Sequence, residues 1–71
     1  MGKAYATYET LSATSAIVEV VYADGRFGLE RVDVRRGASL YEACYSAANV
    51  KATAQGNRLE RFSAAAPKVK G

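Results

Sequence analysis

Seventy-one residues with ten Lys/Arg, seven Asp/Glu and no histidine make one small domain of formal charge +3. A chain this short buries a thin core and is only marginally stable alone. The lack of histidine excludes Ser-His and Cys-His nucleophile pairs, imidazole acid–base work and most zinc sites. The single cysteine, Cys44, excludes an intrachain disulfide and fits a reducing compartment.

Charge is unevenly placed. Residues 1–50 carry five basic and six acidic side chains, and residues 51–71 carry five and one. The opening Met-Gly-Lys-Ala-Tyr has no apolar stretch of the signal-peptide kind, and no apolar run approaches a membrane span. A cytoplasmic protein with no membrane partner is expected.

Residues 4–11 are rich in Tyr and Thr without Gly or Pro, and read as a first strand. Residues 12–15 are a short polar connection, suited to antiparallel pairing and too short for a parallel crossover. Two β-rich runs, 16–22 and 27–34, then flank Asp24-Gly25, a strong hairpin signal with a two-residue type I′ turn. That turn places Glu19 opposite Glu30 and Val18 opposite Arg31. A bulge at Glu30-Arg31 relieves both and aligns Val18 with Val32. The core face then reads Ala16, Val18, Val20, Tyr22, Phe27, Leu29, Val32 and Val34, with Ile17, Glu19 and Val21 on the other face.

Ser39-Leu40-Tyr41-Glu42 is a capping box opening a helix. Leu40, Ala43, Cys44, Ala47 and Ala48 form its apolar stripe, and Asn49 is a suitable left-handed stop. Tyr41 and Tyr45 lie off that stripe. Two readings of the last third stay open. Residues 50–55 and 58–63 form a second hairpin around Gly56-Asn57, or Asn57 caps a helix through Ala66. Leu59 and Phe62 share a helical face and not a strand face, whereas Thr53 and the Gly-Asn pair prefer the hairpin. The hairpin is favoured.

The expected fold is thus α+β: a three-stranded antiparallel meander with one helix on its apolar face, then a C-terminal hairpin or short helix. It occupies residues 1–66, with 67–71 a basic tail. The run Val18–Ala23, with Arg31-Val32, Gly37-Ala38-Ser39 and Glu42-Ala43, resembles the opening strand–strand–helix of small ubiquitin-like β-grasp proteins. The resemblance spans less than half the chain, and the extra first strand and single terminal Gly71 depart from the family pattern. It implies no function here.

Cys44 lies mid-stripe and reads as a packed core thiol. Gly25-Arg26-Phe27-Gly28 lacks the glycine count and following helix of a phosphate loop. No carboxylates are paired. A non-enzyme with no cofactor and no metal is expected. The leading reading is a small module acting by protein–protein contact. Its size suits a regulator or inhibitor, as among phage and mobile-element accessory proteins, and self-association as a homodimer is compatible with it. Its candidate surfaces are Ile17 with Val21 on the outer sheet face, and Tyr41 with Tyr45 on the helix. The alternative is nucleic-acid binding through Arg35, Arg36, Arg58, Arg61, Lys68 and Lys70, converging at one end.

Overall fold

A computed structural model describes residues 2–65. The Tyr/Thr-rich opening forms β1 (Gly2–Thr10), and the two β-branched runs form β2 (Ser15–Val21) and β3 (Phe27–Asp33). Helix α1 (Leu40–Ala54) and strand β4 (Asn57–Ala64) follow. The sheet order is β3-β2-β1-β4, with β1–β2 and β2–β3 antiparallel and β1–β4 parallel. The expected antiparallel meander β1–β2–β3 is present, but β4 joins it parallel to β1, so the chain is a small α+β fold with a four-stranded mixed sheet rather than a pure three-stranded meander. Strand β4 runs parallel to β1, so β3 must reach it by a crossover. Helix α1 is that crossover, and it covers one sheet face.

Residues 50–55 do not form a strand, and no second helix starts at Asn57. Helix α1 runs through Asn49 because its buried stripe continues four residues at a time, Cys44, Ala48, Ala52. It ends where Gly56 takes a positive φ of 70° and donates its N–H to the Thr53 carbonyl. At the other end, Ser39 Oγ accepts the Glu42 N–H at 3.1 Å, as the cap requires.

The expected bulge at Glu30-Arg31 is absent. The loop has three residues rather than two: Tyr22 N–H donates to Arg26 O, and Gly25 N–H to Tyr22 O. Within the loop, Gly25 alone takes positive φ, at 90°. That is a type I turn closed by a left-handed glycine, a three-residue hairpin loop. The longer loop slides the register by one, to Val21↔Phe27, Val18↔Glu30 and Ala16↔Val32. A one-residue slip exchanges the faces. Phe27 and Leu29, expected in the core, are 61% and 59% exposed on the outer face.

A bulge does occur, in β4. The β1–β4 register runs Ala4↔Leu59, then Tyr5↔Arg61, so Glu60 is the inserted residue. It places both Leu59 and Phe62 against the helix side, where they pack on the core. The core itself is Ala4, Ala6, Ala16, Val18, Val20, Val32, Cys44, Ala48 and Ala52. Its small side chains let α1 lie close on the sheet, giving a slab of 35 × 35 × 15 Å.

A candidate interaction face on the open side of the sheet

The helix covers one face of the sheet, and alternation along the strands decides what the other presents. Strand β1 presents Lys3, Tyr5, Thr7 and Glu9. Strand β2 presents Ile17, Glu19 and Val21, and β3 presents Phe27, Leu29, Arg31 and Asp33. Strand β4 presents Arg58, Arg61 and Ser63, with exposed Glu60 on the bulge between the two arginines. The pairings align them in rows. One row is Phe27, Val21, Tyr5 and Arg61, and the next is Leu29, Glu19, Thr7 and Ser63. Tyr5 is 46% and Val21 39% exposed, and Ile17 is half-buried. Phe27, Leu29, Val21 and Ile17 thus form an apolar band on the β2–β3 half.

Ile17 and Val21, singled out from sequence, share this face. Phe27, Leu29 and Tyr5 had no part in the sequence-derived surface. The usable signal was the three-residue gap between Leu29 and Val32, which reports two faces once the longer loop is recognised. At the far end of the band, Ser15 Oγ donates to Asp33 Oδ1 at 2.5 Å, and Arg31 Nε donates to Asp33 Oδ2 at 3.2 Å. The Ser15 hydrogen bond, then the Arg31 contacts, hold the Asp33 carboxyl below its ordinary range. Beside Phe27, an open cleft of about 230 Å³ is lined by Tyr22, Arg26, Phe27, Gly28 and Gln55.

Tyr41 and Tyr45 sit on the opposite layer. They are 53% and 47% exposed, yet their rings meet Phe62 edge-on at centroid distances of 5.3 and 5.4 Å. Phe62 in turn stacks on Tyr8 at 5.0 Å. The two tyrosines therefore close the seam between α1 and the β1–β4 pair. Cys44 is buried beneath the helix, and burial pushes its thiol upward, away from nucleophilic reactivity.

The four basic residues of that set that lie among the described residues do not gather at one end. Arg35 and Arg36 follow Asp33, beyond edge strand β3, at the end where β2 begins. Arg58 and Arg61 lie on the opposite edge strand, with Arg58 at the end where Val21 and Phe27 pair. Arg58 and Arg61 are parted from Arg35 and Arg36 because the crossover carries β4 to the far edge of the sheet. Lys68 and Lys70, and the tail 67–71, lie outside the described residues.

Among the described residues, the ion pairs are Arg26–Asp24, Arg31–Asp33 and Lys51–Glu30. No helix among these residues is long and apolar enough to cross a membrane. Comparison with protein-family models, with curated proteins and with solved structures finds no match.

Proposed function

We propose that this chain is a non-enzymatic binding module that docks on another protein through the β2–β3 half of its open sheet face. The observation that carries the reading is the band of Phe27, Leu29, Val21 and Ile17 on a sheet layer that the chain's own helix leaves uncovered. Contiguous apolar groups exposed on a regular element mark interaction surfaces more often than they serve a monomer. The strands already hold these side chains in place, so little ordering entropy is lost on docking. The helix surface at Tyr41 and Tyr45 is the weaker candidate, because those rings are engaged with Phe62. Regulators and inhibitors of this size act by such occupancy.

The test is affinity capture from nuclease-treated host lysate, with the wild-type chain beside a Phe27→Lys, Leu29→Lys double variant. A protein retained by the wild type and lost from the variant, then bound by purified wild-type chain alone, supports the reading. Identical capture profiles for the two chains overturn it.

A further inference from the structure

The β1–β4 half of the open face carries a different chemistry. Lys3 and Arg58 are register partners on adjacent strands, and both are exposed. Neighbouring strands lie about 4.8 Å apart, so two cations are held side by side, an arrangement that is unfavourable by itself. Arg61, with Tyr5 as its register partner, stands on the same face one row along. No carboxylate among the described residues forms an ion pair with Lys3, Arg58 or Arg61, and Glu60 on the intervening bulge is no exception. Beside these cations the Tyr5 ring is nearly half exposed, and Phe27 lies two strands away in the same row.

We infer that Lys3, Tyr5, Arg58 and Arg61 form a contact site for single-stranded nucleic acid, independent of the apolar band on β2 and β3. Three cations along two adjacent strands, none in an ion pair among the described residues, suit the track of a phosphate backbone. An exposed tyrosine ring on a sheet is a surface on which a base stacks without regard to its identity. Among the described residues the open face carries no projecting helix or ribbon to enter a duplex groove, which points to a single strand. Glu9 and Glu19 share the face and repel phosphates, so the backbone runs along the β4 edge, where Lys3, Arg58 and Arg61 outnumber the one exposed carboxylate, Glu60. This site retains Arg58 and Arg61 from the sequence-derived basic set, replaces Arg35 and Arg36 with Lys3, and adds the ring that composition could not place.

The experiment is a fluorescence-anisotropy titration of a labelled 20-nucleotide oligothymidylate with the full chain, from about 50 to 200 mM salt. Three neutralised phosphates on a single strand predict a log–log salt slope near −2. Tyr5→Ala lowers affinity about tenfold, the scale of one lost stacking contact. The pair Arg58→Glu with Arg61→Glu abolishes binding, whereas Arg35→Glu with Arg36→Glu leaves it within about threefold apart from general charge effects. Circular dichroism on each variant confirms that the fold persists.

Absence of binding at 50 mM salt overturns the inference. So does equal affinity for a duplex of the same length, or equal loss in the Arg35/Arg36 pair. Binding of polyglutamate in place of the oligonucleotide, with the same Arg58 and Arg61 dependence, assigns the corner to carboxylates and also overturns it. The charge-neutral Phe27→Ser, Leu29→Thr variant removes the apolar band and leaves Lys3, Tyr5, Arg58 and Arg61 in place, so the fates of the protein-docking and nucleic-acid sites are read separately.

Discussion

Asn57 Oδ1 accepts the Ala23 N–H at 2.8 Å, tying the first residue of β4 to the tip of the β2–β3 hairpin. Its Nδ2 donates to the Gln55 carbonyl, also at 2.8 Å. One side chain thus joins the hairpin loop, the end of α1 and the start of β4. Close by, a Cβ on Gly2 would stand 2.3 Å from that of Ala23, so the start of β1 passes against the same loop. Asn57→Ala is expected to cost about 1–2 kcal/mol for two hydrogen bonds lost. Urea unfolding followed by circular dichroism measures it. A change within about 0.3 kcal/mol would show that the clasp adds nothing.

Deleting Glu60 tests the bulge. Without the inserted residue, strand alternation sends either Leu59 or Phe62 to the outer face. If Phe62 turns outward, Tyr8, Tyr41 and Tyr45 lose their common partner. Destabilisation of about 2 kcal/mol or more is expected, on the scale of losing one large apolar side chain from a packed site. Glu60→Ala, which keeps the residue count, should stay within about 0.5 kcal/mol, as surface changes do. Equal effects of deletion and substitution would rule out the bulge as the cause.

The register of the hairpin makes an opposite pair of claims. Phe27→Ser with Leu29→Thr should leave stability nearly unchanged, within about 1 kcal/mol, because both side chains are already largely exposed. Val20→Ala, on the covered face, should cost about 2 kcal/mol by loss of buried methyls and the cavity left behind. Thermal unfolding of the two variants decides. Greater damage from the Phe27/Leu29 pair would restore the bulged register.

Asp33 supplies a pH dependence. Its folded-state pKa lies below the ordinary 3.8, held there first by the Ser15 hydroxyl and then by Arg31. A depressed carboxylate contributes stability that is present above its unfolded pKa and is lost as pH falls through the folded value. Stability should therefore decline below about pH 4 in the wild type. Ser15→Ala should flatten that decline, because it removes the larger cause. Unfolding midpoints between pH 2 and 6 test this, and an unchanged slope in Ser15→Ala would assign the acid sensitivity to other carboxylates.

Elements built from local chemistry are legible in the chain alone. The Tyr/Thr-rich first strand, the two β-branched runs and the Ser39 cap each depend on residues close in sequence, and each is present. The outward position of Ile17 and Val21 was legible for the same reason, since β2 alternates cleanly. Loop length was less legible: Asp24-Gly25 fits a two-residue turn and a three-residue loop alike. That single residue decided whether Phe27 and Leu29 were core or surface.

The three-residue spacing of Leu29 to Val32 and of Leu59 to Phe62 poses one parity problem twice. In β3 it is solved by a register slip that puts the two residues on opposite faces. In β4 it is solved by a bulge that puts them on the same face. Nothing local distinguishes these solutions; packing against α1 does, because Leu59 and Phe62 find the helix there while Leu29 does not.

Local chemistry in the chain specified the first three strands, the helix cap and the small-residue stripe that sets α1 close to the sheet, but left residues 50–64 open between strand and helix. Tertiary structure alone decided the strand order. Parallel pairing of β4 with β1 joins residues more than fifty positions apart, and its energy is realised only after the crossover is formed. That long-range pairing sets Arg58 beside Lys3 and Arg61 beside Tyr5, and parts them from Arg35 and Arg36. The surface chemistry of the open face is thus a product of topology, which no local pattern in the chain encodes.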